Sequence, residues 1–198
     1  MTFDELKNDR RYWQRLLRAA GLYTGKIDGI RGPKQRAAEA AWETQVACCA
    51  SELGRFDSRS EGNIATLLPA AQRLARQWLA AAITEARALG VQVKIICGTR
   101  SYAEQDALYA QGRTRAGARV TNARGGYSWH NFGLAWDFGV FTADGKGYLG
   151  DGPQYRVLGK VAYKVPGLEW GGDWTSFPDL PHLQLRKYAS TAEARADF

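Results

Sequence analysis

Ser128-Trp129-His130-Asn131-Phe132-Gly133-Leu134-Ala135-Trp136-Asp137 decides how the chain is read. From Leu134 onward, apolar and small residues alternate, which is strand periodicity. Ala135, Asp137 and Gly139 share one face, and Leu134, Trp136, Phe138 and Val140 share the other. Asp137 is therefore a carboxylate on a face of small residues, with bulky apolar residues behind it. His130 lies seven residues earlier, so unbroken alternation would put it on the opposite face. Asn131-Phe132-Gly133 supplies a turn or bulge that brings it back.

The chain has two histidines, and the second closes Asp179-Leu180-Pro181-His182. Pro178 and Pro181 disfavour a helix there, so His182 begins an extended segment. A site assembled from these segments is built on strands. Two imidazoles and one carboxylate suit zinc, with a fourth position open for water. A single carboxylate leaves such a site net positive, which favours ionised water near neutral pH. Hydrolysis also needs a base that holds water without binding the metal. Asp179, three residues before a ligand and flanked by prolines, fits that role and can pass the proton to a leaving amine.

Working outward, Pro69 to Leu89 reads as a long helix stopped by Gly90. Val91, Val93, Ile95 and Cys97 alternate with Gln92 and Lys94 as a strand. Ser101 and Glu104 have capping-box spacing and start a shorter helix to about Gln111. Arg113 to Gly126 reads as a loop, Tyr155 to Tyr163 as a helix and Leu183 to Leu185 as a last short strand. The rhythm is α+β, without βαβ units.

Ser128-x-His130-x-x-Gly133-x-Ala135-x-Asp137, with the later Asp179-x-x-His182, resembles the zinc D-alanyl-D-alanine carboxypeptidase and L-alanyl-D-glutamate endopeptidase family. Gly98-Thr99-Arg100-Ser101, followed by Gln105 and Leu108-Tyr109, is similar to its arginine-containing segment. Glu169-Trp170-Gly171-Gly172-Asp173-Trp174 is similar to the segment before its last ligand. The resemblance covers roughly residues 66–186. It implies an antiparallel sheet with flanking helices, shared with the lysostaphin and hedgehog group. It also implies one zinc per chain on His130, Asp137 and His182, with Asp179 as base and Arg100 polarising the scissile carbonyl. Ser128 reads as a contact for a substrate carboxylate or a support of the site. Gln105 reads equally as a substrate contact or a solvated helix residue. Trp170 and Trp174 read as cleft walls or as core.

The first 50 residues form a smaller unit. Thr2 and Glu5 cap a helix that Gly21 stops, and Pro33 opens a second one. The Gly-rich middle, with Tyr23, Gly25, Ile27, Asp28, Gly29 and Gly32, resembles the peptidoglycan-binding domain of cell-wall hydrolases. That resemblance implies wall contacts at Tyr23, Ile27 and Asp28; the plainer reading is a helical hairpin that stabilises the rest. Residues 51–65 are polar and read as a linker, leaving 66–198 as the peptidase domain.

Composition agrees with a globular chain. Of 198 residues, 45% are hydrophobic and 24% charged, which excludes collagen-like, coiled-coil and disordered classes. No run approaches the ~18–20 apolar residues of a membrane span. Met1-Thr2-Phe3-Asp4-Glu5 lacks the basic start and apolar run of a signal peptide. Cys48, Cys49 and Cys97 form no disulfide framework and read as sheltered thiols in a reduced compartment. The net charge of +7 is spread over both parts. It favours polyanionic partners such as nucleic acid, anionic lipid or an acidic cell-wall polymer without choosing among them, and it serves solubility equally well; nucleic acid is suggested by charge alone.

The expectation is a monomeric zinc peptidase cutting the stem peptide of peptidoglycan, most closely the L-alanyl-D-glutamate branch. The resemblance further implies a bacteriophage endolysin, made in the host cytoplasm and released through holin lesions. The rivals are a D-alanyl-D-alanine carboxypeptidase and a wall-binding zinc protein without activity.

Overall fold

The computed structural model describes residues 1–150 and 152–198. Its elements run α1 (Phe3–Asn8), α2 (Arg10–Ala19), α3 (Pro33–Leu53), α4 (Ser58–Ile64), α5 (Pro69–Ala88), β1 (Val91–Cys97), α6 (Tyr102–Ala110), β2 (Ala135–Thr142), β3 (Tyr148–Leu149), α7 (Gln154–Gly159), β4 (Leu168–Trp170), β5 (His182–Leu185) and α8 (Thr191–Asp197). The strands form one antiparallel sheet in the order β1-β2-β5-β4, with β3 also on β2. This is the α+β class that the alternation around Asp137 predicts.

The apolar face of β2 carries the core. Trp136, Phe138 and Val140 are buried, and Trp78 of α5 meets Phe138 at 4.9 Å between ring centroids. Burying side chains of this size contributes about 1.5–3 kcal/mol each. The other face, with Asp137, is left for chemistry.

The first helix breaks in two where one is expected. Asp9 leaves the helix, and its carboxylate accepts from Tyr12 N at 3.1 Å, capping α2 afresh. The expected linker at 51–65 is mostly helical: α3 runs to Leu53 and α4 occupies Ser58–Ile64. Arg76 of α5 holds this region through Gly54 O and both Glu61 oxygens, at 2.7–2.8 Å. Polar composition alone does not show that Ser60 and Ile64 are fully buried. Of the three thiols, Cys48 is exposed, contrary to the expected shelter. Cys48 falls on the solvent side of α3, while the next two residues, Cys49 and Ala50, turn inward.

The N-terminal helices share the hydrophobic cluster of the sheet. Trp13 packs on Trp42 at 4.8 Å and donates its indole N–H to Glu39 at 3.1 Å. The Tyr12 hydroxyl lies 2.5 Å from Asn131 O and 3.2 Å from Arg100 O, so α2 backs directly onto the chain that carries the candidate site. Tyr23 is buried, with its hydroxyl donating to Lys26 O at 2.8 Å. Asp28 accepts from Gln14 Nε2 at 3.0 Å and Ile30 N at 2.8 Å. Ile27 is half-buried against the core. All three residues therefore shape the Gly-rich turn.

Candidate metal centre and cleft

Register assembles the site. Asp137 on β2 lies opposite Cys97 on β1 and His182 on β5. Successive residues alternate faces, so this row of three shares the open face of the sheet. His130 joins it from a 3-10 turn, Trp129–Phe132, that ends at Gly133 with φ of +66°. Only a residue without Cβ adopts that conformation cheaply. A Cβ there would also come within 3.1 Å of Leu68 N. This is the turn that the sequence requires to bring His130 back.

Three donor atoms converge. His130 Nε2 lies 3.2 Å from His182 Nδ1, and both approach Asp137 Oδ1, at 3.2 and 3.3 Å. Ligands held ~2.0–2.1 Å from a tetrahedral zinc stand ~3.3–3.4 Å apart, so the triangle has the dimensions of one face of such a tetrahedron.

The outer nitrogens settle the tautomers. His130 Nδ1 is 2.7 Å from Gly98 O, which can only accept. His182 Nε2 is 2.9 Å from Gln184 Oε1, again an acceptor. Each imidazole thus carries its proton on the outer nitrogen and turns a lone pair toward the other and toward the carboxylate. Such an arrangement needs a positive charge between the donors, either a proton or a metal ion. The donor set fits zinc.

Charge reinforces this. Burial opposes ionising His130, but Asp137 outweighs it and raises the pKa to about 9. Burial likewise opposes the Asp137 carboxylate, yet His130, His182 and Arg100 hold it well below the usual carboxylate range. Burial and the nearby Asp137 charge push Asp179 upward. That shift moves a carboxylate toward the range of a useful general base. Cys97 Sγ is a looser neighbour, within 4.8 Å of donor atoms of His130 and Asp137. It accepts from Arg100 Nε at 3.1 Å, so the two histidines and Asp137 make the tighter set.

Asp179 is set by backbone. Its N–H donates to Gly171 O at 2.9 Å, and its carbonyl accepts from His182 N at 3.2 Å. A Cβ on Gly171 would lie 2.7 Å from Asp179 O and 3.0 Å from His182 Cβ, so only glycine allows this approach. Arg100 donates Nη2 to Asp137 Oδ2 and Nη1 to Gln105 Oε1 at 3.2 Å. Three of its five N–H donors are thus committed, leaving two for a ligand.

Arg100, Ser128, His130, Asp137, Asp179 and His182 line one cleft of about 540 Å³. Trp174 also lines it, its ring 4.9 Å from that of His182. Gln105 and Trp170 do not line it. Gln105 is fully buried, donating to Thr121 Oγ1 at 3.2 Å and Ala123 O at 2.9 Å while it accepts from Arg100. Trp170 is 2% exposed, wedged against Gly159 and Gly172, with its N–H on Leu180 O at 2.8 Å. A larger groove of about 760 Å³ between α5 and β1 contains neither histidine.

Two residues of the site escape the sequence reading. Gln184 fixes His182. Asn131 is fully buried and ties the two segments, donating to Arg100 O at 2.9 Å and accepting from Gly126 N at 2.9 Å. The available signals are the two-residue spacing of Gln184 on the strand and the Ser128–Asn131 capping-box spacing.

Residues 121–185 match the protein family described as D-alanyl-D-alanine carboxypeptidase. The matched segment takes in the two motifs around His130 and His182 that carry the resemblance to the peptidase family. The family segment includes His130, Asp137, Asp179 and His182, while Arg100 and Gln105 lie before it. The peptidoglycan L-alanyl-D-glutamate endopeptidase CwlK of Bacillus subtilis (strain 168) is 45% identical over 104 residues, 48% of this chain and 62% of that protein. The chain therefore matches less than two thirds of this curated relative. Among solved structures, the L-Ala D-Glu endopeptidase ChiX of Serratia marcescens is 26% identical, with a TM-score of 0.46 over 68% of this chain and 92% of ChiX.

Proposed function

We propose that the chain is a zinc-dependent peptidoglycan hydrolase that cuts the stem peptide at the L-Ala–D-Glu bond. The observation that carries this reading is the triangle of His130 Nε2, His182 Nδ1 and Asp137 Oδ1, with lone pairs turned inward and Asp179 beside it in the same cleft. The likeness to CwlK, named as an L-alanyl-D-glutamate endopeptidase, favours that bond over the D-alanyl-D-alanine bond of the family description.

His130, Asp137 and His182 would hold the zinc. A bound zinc ion supplies Lewis acidity that activates water at neutral pH. Asp179 takes a proton from the attacking water and delivers it to the amine of D-Glu as the C–N bond breaks. Arg100 pins the second oxygen of Asp137 and offers its remaining N–H donors to the scissile carbonyl, where negative charge develops. Action as a monomeric phage endolysin, reaching the wall through holin lesions, is part of the same proposal. No helix among the described residues is long and apolar enough to cross a membrane.

Mass spectrometry of peptidoglycan digested by the zinc-loaded protein tests the reading. Stem peptides with a new N-terminal D-Glu, leaving L-Ala on the sugar, are expected. Release of free D-Ala from otherwise intact stems would move the chain to the carboxypeptidase reading. Zinc at one per chain with neither product would leave a wall-binding metal protein.

A further inference from the structure

Three of the eight large hydrophobic side chains exposed among the described residues line the one cleft that holds the histidines. They are Val120 at 52%, Tyr127 at 57% and Phe177 at 50%. They come from both walls, Val120 and Tyr127 from the loop before His130 and Phe177 from the segment between Trp174 and Asp179. Clustered exposed apolar side chains mark a binding surface where scattered ones do not. Tyr127 is also braced. The Arg195 guanidinium sits over its ring at 4.0 Å and donates to Gly126 O at 2.8 Å. One ring face is thereby occupied while more than half the residue stays in solvent, so the platform is oriented before any ligand arrives.

The two residues that flank the cut do not call for such a rim. L-Ala offers a methyl group and D-Glu a carboxylate, and neither fills an aromatic surface. The large rings in peptidoglycan are its sugars, whose pyranose faces are apolar C–H surfaces edged with hydroxyls. The rim has the matching composition, with aromatic faces beside the polar side chains of Asn122, Ser128 and Ser176. Reach points the same way. A residue of extended chain spans at most ~3.6 Å, so a sugar one residue and one lactyl ether from the cut lies on the order of 10 Å from the reacting carbonyl. An enzyme cutting after L-Ala thus brings the sugar to the mouth of its own cleft. One cutting between the terminal D-alanines leaves it three residues further out.

We infer that Tyr127 and Phe177, with Val120, form a pyranose subsite that holds the muramyl sugar bearing the stem peptide, on the L-Ala side of the scissile bond. This inference rests on the L-Ala–D-Glu reading. It makes the glycan-linked stem, rather than free peptide, the preferred substrate.

The test compares kcat/KM of the zinc-loaded protein on a disaccharide-tetrapeptide and on the same tetrapeptide with N-acetylated L-Ala. A preference of roughly tenfold or more for the glycosylated substrate is expected, the size that one or two ring contacts supply. The Tyr127→Ala, Phe177→Ala double variant should lose that preference, and each single variant part of it. No preference in the unaltered protein would overturn the inference and leave the endopeptidase reading standing. An equal fall on both substrates in the variants would overturn it as well. Should neither substrate be cut at L-Ala–D-Glu, the function itself fails. Saturation-transfer NMR with the N-acetylglucosaminyl-N-acetylmuramyl disaccharide then tests the subsite alone: binding abolished by the double variant supports it, and absence of binding overturns it.

Discussion

Gln184 lies two residues beyond His182 on the same face of β5, and its Oε1 accepts from His182 Nε2 at 2.9 Å. That contact leaves Nδ1 as the free lone pair facing His130 and Asp137. Gln184→Leu keeps the volume and removes the acceptor. Partners of this kind are worth about 10–100-fold in metal affinity. Zinc affinity of Gln184→Leu, measured by competition with a chromophoric chelator, should fall by that amount, and Gln184→Glu should restore most of it. Unchanged affinity in Gln184→Leu would show that His182 needs no such partner.

Asp179 lines the same cleft as the three donor residues and stands outside their triangle. Asp179→Ala should lower kcat on peptidoglycan by about 10²–10⁴-fold, the range of a general base. Zinc content by atomic absorption should stay at the level of the unaltered protein. Loss of metal together with activity would make Asp179 a ligand.

Much of this site is legible in the sequence because its geometry follows from alternation and two short spacings. Asp137 and His182 belong to strands, so register alone sets them opposite each other. His130 is placed by Gly133, whose positive φ is the kind of need that a glycine between a turn and a strand announces. Contacts that close through space are not legible. Nothing in the local pattern shows that Gln105, on a helix, is buried beneath a loop some 16 residues later and turned toward Arg100. Trp170 reads as a wall from its neighbours, but Gly159 on the preceding helix, together with Gly172, opens the space into which its ring sinks. The stretch 51–65 shows the same limit, since its order comes from Arg76 on another helix.

Gln105 serves Arg100 and the loop at once, accepting from one and donating to the other. Gln105→Ala leaves Arg100 Nη1 and Ala123 O without their partner, and Thr121 Oγ1 with Ala123 N alone. A buried group so stranded costs about 1–3 kcal/mol. The melting temperature should drop accordingly, and kcat should fall more than KM rises, because Arg100 loses its orientation. Gln105→Glu keeps the acceptor for Arg100 and should recover kcat more fully than stability. Equal recovery of both would mean that Gln105 acts through the fold alone.

A proton and a metal ion compete for the same space between His130 and Asp137. The pKa of His130 is raised to about 9 because Asp137 outweighs the effect of burial. Below that value a metal must displace the proton, so zinc affinity should fall as pH falls, by about tenfold per unit for one proton displaced. The metal-free protein should show the opposite trend. With a folded-state pKa above the ordinary 6.5, the ion pair stabilises fully below that ordinary value and loses its contribution as pH rises through about 9. Calorimetry in buffers of different ionisation enthalpy counts the protons released on zinc binding. Melts of chelator-treated protein across this range follow the stability. No proton released at pH 7 would show that His130 is already neutral without metal.

Arg76 is nearly fully buried and meets both oxygens of Glu61, at 2.8 and 2.7 Å. Burial works against the Glu61 carboxylate, but Arg76 and the Phe56 N–H outweigh it and hold its pKa below the usual carboxylate value. The pair therefore stabilises above the unfolded carboxylate range and is lost as pH falls through the lower folded value. Removing one partner strands the other, at a cost of about 3–5 kcal/mol for a buried pair. Glu61→Gln should accordingly destabilise strongly by denaturant titration at pH 7, and by less as the pH falls through the lowered pKa of Glu61. Arg76→Met combined with Glu61→Leu should recover much of the loss, since no charge is then left buried. A double variant as unstable as Glu61→Gln would show that the hydrogen bonds to Gly54 O and Phe56 N, rather than the balance of charge, hold the 54–64 stretch in place.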